Sequence, residues 1–300
     1  MTPAHWILMI LVNLAFGLNL AAVKVAMTEV PPLAFAALRF AVVLLVLAPV
    51  LKIHRGQMRV LVVVGLLMGT LHFAFITTGL AWAGDVSTVA IVIQLGVPFA
   101  TLMSVVFLGE VIRWRRWLGI SLAFFGVMVI GFDPRVFDYW QAVLMVALAA
   151  LSAAAGMTLM KGKLKVDAFQ LQGWLAVIAF PTLAVLSAFM EQEQMHAITN
   201  MSPLVVACLI FSALGATLLG HGGAYQLLRH YDLSLISPLL LLSTVFGVLF
   251  GVWLLDDLLT PKIVLGGVIT LAGALLITLR NGEKGTATPL AQTTIPATKR

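Results

Sequence analysis

Charge is what this sequence has least of. Only 10% of its 300 residues are charged, against 61% hydrophobic, which is too little polar surface for a soluble domain of this length. There is one cysteine, Cys208, so an internal disulfide, a redox pair and a cysteine-based metal cluster are all excluded. Phosphate-binding loops of the Walker type are missing. No aspartate or glutamate falls in the middle of an apolar run. A membrane-embedded transferase would need His, Asp, Glu or Cys clustered at one membrane face. Asp133–Asp138 and Asp256–Asp257 have no histidine beside them. No row of like charges runs along any apolar stretch, as many channel pores require.

What the chain has is length of apolar sequence. Its runs match the roughly 17–25 residues that cross about 30 Å of hydrocarbon. Lipid leaves backbone groups no partner outside the chain, so a span must be a helix or part of a closed barrel. Barrel strands alternate apolar and polar residues. Here the runs are continuous, as over Val60–Trp82. The expected fold class is all-α integral membrane, with ten spans at 5–27, 32–51, 60–82, 86–108, 115–132, 139–160, 168–190, 203–228, 234–255 and 262–279.

Lysine and arginine collect in cytoplasmic loops. With both termini placed in the cytoplasm, fourteen of the 18 basic residues fall in inner loops and the tail. Two, Arg135 and Lys262, fall outside, and Lys24 and Arg39 lie within spans. The acids Glu29, Asp85, Asp133, Asp138, Glu191, Glu193, Asp256 and Asp257 all fall in outer loops. The net charge of +6 is thus a matter of topology, and nucleic acid is not an expected partner.

The chain repeats itself. A shift of 147 residues places 80–130 on 227–277 without a gap. It sets Asp85-Val86-Ser87 on Asp232-Leu233-Ser234, and Leu108-Gly109-Glu110 on Leu255-Asp256-Asp257. Gly119 and Gly126 fall on Gly266 and Gly273. Each half has five helices, and an odd number inserts the second half upside down. Inverted repeats with a site at their midplane junction are typical of secondary transporters. The expected units are a first repeat at 1–137, a second at 138–280, and a disordered cytoplasmic tail at 281–300.

Phe16-Gly17-Leu18-Asn19 with Lys24, and Pro98 ahead of Leu108-Gly109-Glu110, Gly119 and Gly126, resemble the EamA-type half of the drug/metabolite transporter superfamily. The second half resembles another copy. Phe16-Gly17 stands where the family has Trp-Gly, and Asp256-Asp257 where it has Gly-Glu. The resemblance implies a ten-helix basket in the bacterial inner membrane, with the fifth and tenth helices adjacent at one edge. It implies export of amino acids, including aromatic or other neutral ones, or of related small metabolites. Such export proceeds by alternating access and without ATP, so no enzymatic activity and no cofactor is expected. Uptake of sugar or nucleotide-type metabolites is the alternative. A phosphorylated cargo would want several basic groups, and only Lys24 and Arg39 are on hand. A membrane transferase is the more distant alternative.

Polar residues inside spans are costly and face a cavity or another helix. His72, Asn13, Asn19, Gln94, Ser243, Thr244, His221 and Tyr225 come from both halves and are the candidate cavity residues. Each has a plainer reading as interhelical glue or as a bond to its own helix. Arg39 lies too deep for easy snorkelling and is a candidate for a substrate carboxylate. Lys24 sits near a span end, where snorkelling competes with substrate contact. If protons are coupled, His72 and His221 are the candidate carriers, since free histidine titrates at about 6.5. Otherwise the protein is a facilitator. Gly119, Gly126, Gly266 and Gly273 are read as helix-packing positions, between the fifth and tenth helices or at a dimer seam. No metal site is expected. The expected partners are a small-molecule substrate and the lipid bilayer, with the chain a monomer or a homodimer.

Overall fold

The computed structural model describes residues 1–109, 114–164, 166–231, 236 and 239–278; the tail expected at 281–300 lies outside them. Among the described residues, ten long apolar helices make up the architecture: α1 (Pro3–Ala26), α2 (Pro32–Leu47), α3 (Met58–Trp82), α4 (Val86–Phe107), α5 (Trp114–Gly131), α6 (Trp140–Lys163), α7 (Ala168–Met190), α8 (Pro203–Gly222, continuing as Gly223–His230), α9 (Leu242–Leu255) and α10 (Pro261–Thr278). Seven of them are individually long and apolar enough to cross a membrane, and α5, α9 and α10 are shorter. The described part of α9 starts at Leu242, later than the expected 234. Residues 232–235 and 237–238 lie outside the described set.

Helix starts follow local chemistry. Thr2, Asp85, Asp133, Asp167 and Ser202 accept bonds from backbone N–H groups of the turns they precede. Such caps satisfy donors that the first turn leaves free. Proline stands at the first helical positions of α1, α2 and α8, where its missing N–H costs nothing.

Other ends are closed by side chains from distant helices. The Glu191 carboxylate, beyond α7, accepts from Leu33 N at 2.7 Å and Ala34 N at 2.9 Å at the start of α2. Asp257, beyond α9, accepts from both the backbone N and the hydroxyl of Ser87 at 2.7 Å, at the start of α4. Burial raises the Asp257 carboxyl pKa, and the Ser87 bonds offset only part of that rise. Tyr139 donates to Asp85; burial and that bond hold its phenol protonated well above the ordinary range.

The packing pattern is unchanged when the two halves are exchanged. Helix α3 packs on α6 as α8 packs on α1, and α1 on α9 as α6 on α4. Helices α2 with α7, α4 with α9, and α5 with α10 pair with their own counterparts. Even the ends of α4 and α9 match: Gly109 and Asp256 both adopt the left-handed conformation, at φ 65° and 55°. These are two inverted five-helix repeats.

The α5–α10 contact is among the most extensive between described residues. A Cβ on Gly119 would lie 2.9 Å from the Gly273 carbonyl, and one on Gly273 would lie 2.6 Å from the Gly119 carbonyl. One on Gly126 would lie 2.6 Å from the Gly266 carbonyl. Four glycines thus let two backbones touch. Around the outside, Trp6, Trp82, Trp114, Trp117, Trp140 and Trp253 are exposed near helix ends, as in an interfacial aromatic belt. The seventh, Trp174, donates its indole N–H to the Lys52 carbonyl at 2.9 Å.

Candidate functional site

A cavity of about 220 Å³ lies between the repeats, bounded by α1, α2, α3, α4, α8 and α9. Its walls come from the second half of α1 (Phe16 to Val23), the first half of α2 (Phe35 to Arg39), the second half of α3 (His72 to Leu80) and the first half of α4 (Ala90 to Gln94). All four segments point towards the face that carries the α1–α2 and α3–α4 connections. His221 of α8, with Ser243 and Thr244 of α9, lies towards the opposite face. Helix α6 supplies no side chain among the described lining residues, whereas α2 does.

Irregular backbone shapes this space. Helix α3 turns to π geometry over Gly65–Leu71, directly before His72. Helix α8 does so over Phe211–Gly222, which contains His221. A π segment displaces a helix from its regular register and is common at functional sites. Helix α4 narrows to a 3₁₀ turn over Ile93–Leu95. Pro98 has no N–H to offer the Gln94 carbonyl, which accounts for the break.

Arg39 is the only charged residue among the described lining residues. It is buried, and its Nε has no hydrogen-bond partner. Its guanidinium lies 4.6 Å from the centre of the Phe73 ring, a cation–π contact that offsets part of the burial. His72 lines the cavity, and its Nδ1 lies 2.9 Å from the Ala149 carbonyl of α6. That carbonyl can only accept, so the Nδ1–H donates and the neutral ring keeps Nε2 as a free acceptor. The Oδ1 of Asn19 is buried and unpartnered. Phe16 meets the edge of the His221 ring at 5.0 Å between centroids. Phe35 and Phe73 complete an aromatic wall.

The sequence candidates divide. His72, Asn19, Gln94, Arg39, His221, Ser243 and Thr244 all border the cavity. Gln94 donates to the Thr244 hydroxyl, tying α4 to α9 across the repeat boundary. Ser243 donates to the Leu240 carbonyl at 2.7 Å. Asn13 is fully buried and donates to the carbonyl of Met9 at 2.8 Å; it is not among the lining residues, because it bonds to its own helix. The side chain of Tyr225 lies outside the described residues.

Lys24 is not among the described lining residues and reaches the end of a neighbouring helix. Its ammonium donates to the carbonyls of Leu80, Ala81 and Ala83, at 2.8, 3.2 and 2.7 Å, and so caps the end of α3. Trp82 is exposed and does not line the cavity. Sequence reasoning missed the phenylalanine wall, since seventeen phenylalanines in an apolar chain do not single out three. The π segments carried a faint signal in the glycines at 65, 69, 215, 220 and 222. No group of three potential metal ligands occurs among the described residues.

A central cavity between inverted five-helix repeats, with a buried cation in its wall, fits the class of membrane transporters. The EamA-like transporter family model matches residues 5–132 and 140–279: the chain belongs to that family. It is 26% identical to a probable amino-acid metabolite efflux pump of Escherichia coli (strain K12), over 91% of this chain and 94% of that protein. A protein of the same description from Salmonella typhimurium is 26% identical over 89% and 92%. An uncharacterized transporter of Archaeoglobus fulgidus is 25% identical over 91% and 98%. Among solved structures, the fold is shared by a crystal structure that superposes with a TM-score of 0.58 at 20% identity over 93% of this chain and 98% of that one.

Proposed function

We propose that this protein exports amino acids or related small carboxylates across the bacterial inner membrane by alternating access, without ATP. The observation that carries this reading is Arg39, a buried guanidinium with an unpartnered Nε, in a midplane cavity between the repeats. A cation left without an anion inside a membrane protein is costly, and a ligand carboxylate would offset that cost with charge-assisted bonds. Phe16, Phe35 and Phe73 suit an apolar side chain on the cargo. The names of the Escherichia coli and Salmonella relatives, amino-acid metabolite efflux pumps, support the same reading. The positive-inside rule, applied to the inner-loop lysines and arginines, sets both termini in the cytoplasm. The first-repeat walls of the cavity then lie towards the outer face, and His221, Ser243 and Thr244 towards the inner one.

The units are a repeat over 1–137 and a repeat over 138–280. His72, Asn19, Arg39, Gln94, His221, Ser243 and Thr244 form the binding surface. The test is uptake into proteoliposomes of a panel of labelled amino acids and their keto acids, with and without a pH gradient. Transport of at least one compound, abolished by Arg39→Gln, is the expected result. If no member of the panel moves, the reading is wrong.

A further inference from the structure

The charge inventory of the cavity goes further than its shape. Arg39 brings one fixed positive charge, and no carboxylate is found among the described lining residues. No aspartate or glutamate lies mid-span anywhere in the sequence, and the carboxylates at the start of α4, Asp85 and Asp257, are already bonded to Thr88 with Tyr139 and to Ser87. The unpartnered acceptors, Asn19 Oδ1 and His72 Nε2, are neutral when His72 is neutral. A bound zwitterion would satisfy Arg39 with its carboxylate but bring an ammonium that meets only neutral acceptors. The occupied site would then keep a net positive charge away from water, which a low-dielectric interior penalises. A monoanion would leave the occupied site neutral.

We propose that the site selects monoanionic carboxylates, such as α-keto acids, over the matching zwitterionic amino acids, and carries them as uncompensated anions. This rests on the export reading and narrows its cargo. Direction follows from the same charge count. Arg39 belongs to the scaffold, and with His72 and His221 neutral throughout the cycle no proton accompanies the cargo, so each cycle moves one negative charge. A cell interior held at −100 mV then drives the anion outward, to a gradient of about fifty-fold at equilibrium. Export needs no other energy source.

The full chain in proteoliposomes would be offered two matched pairs, pyruvate with alanine and phenylpyruvate with phenylalanine. The members of a pair share a carbon skeleton and differ in charge. A potassium gradient with valinomycin would set the potential, and protein-free vesicles would give the background. Uptake of at least one keto acid should exceed that of its amino acid by about tenfold or more, the factor that corresponds to 1.4 kcal/mol. A lumen-positive potential should raise that uptake, and a pH gradient at zero potential should not. Arg39→Gln should abolish it, while Arg39→Lys should keep the preference for the anion. Protection of the wild-type protein by phenylpyruvate in a thermal melt, lost in Arg39→Gln at an unliganded melting temperature no lower than that of the wild type, separates lost binding from lost folding.

Amino-acid uptake equal to or above keto-acid uptake overturns the inference and leaves the export reading standing. So does anion flux that ignores the potential. If neither member of either pair moves and no amino acid in the wider panel does, both fail.

Discussion

The α5–α10 pair and the α3–α8 pair are each a helix and its repeat counterpart, yet they are built in opposite ways. Helices α5 and α10 are regular and close enough for backbone to touch backbone, and the charge that joins them, Lys262 on the Phe132 carbonyl, sits at their ends. Helices α3 and α8 each break into π geometry and each carry a histidine to the cavity. The same duplication thus made one seam that is dense and one region that is loose. Density needs only small residues at the right spacing, whereas a site needs polar groups that the fold leaves unsatisfied. The lesson is that rigidity and function are separated by helix number.

Substitutions should break the two regions differently. Gly126→Ala places a Cβ 2.6 Å from the Gly266 carbonyl and the Thr270 nitrogen, where backbone must move. A loss of about 3 kcal/mol is expected, read as a lower melting temperature in detergent, with the folded fraction transporting normally. Lys24→Met removes an ammonium that caps three carbonyls at the end of α3. It should cost about 2 kcal/mol in the same melt. Arg39→Gln should act the other way, with stability held or raised by about 1 kcal/mol while transport is lost. A collapse of its melting temperature would mean that Arg39 is a structural residue and would erase the contrast. The smallest effect belongs to Asn13→Ala, within about 0.5 kcal/mol and without change in transport, since its amide bonds only to its own helix and its Oδ1 has no partner.

Much of this was legible in the sequence because bilayer thickness is a hard constraint. The expected spans agree with the observed helices to within a few residues in nine cases; α9 is the exception, beside residues outside the described set. The repeat was readable because acids and glycines, unlike leucines, do not match by chance. Arg39 stood out as a charge where charge is expensive. What stayed hidden depended on geometry that no local pattern encodes. The π segments of α3 and α8 turn on packing, and their residues would read equally well as regular helix. Lys24 lies 56 residues before the first carbonyl it caps, and nothing near it in sequence announces that partner. Asn13 and Asn19 look alike from the sequence; only their rotation about α1 sends one into its own helix and the other to the cavity.

The tryptophans have an optical consequence. Six of the seven lie exposed on the outer surface, the seventh is held by the Lys52 carbonyl, and none borders the cavity. Ultraviolet emission from this protein therefore comes from its rim. Brominated or spin-labelled lipids should quench it strongly, according to the depth at which the label sits. Cargo arriving among phenylalanines should scarcely alter it. The native fluorophores form a depth gauge for the bilayer, and the binding chamber is dark until a tryptophan is placed there, for instance by Phe73→Trp.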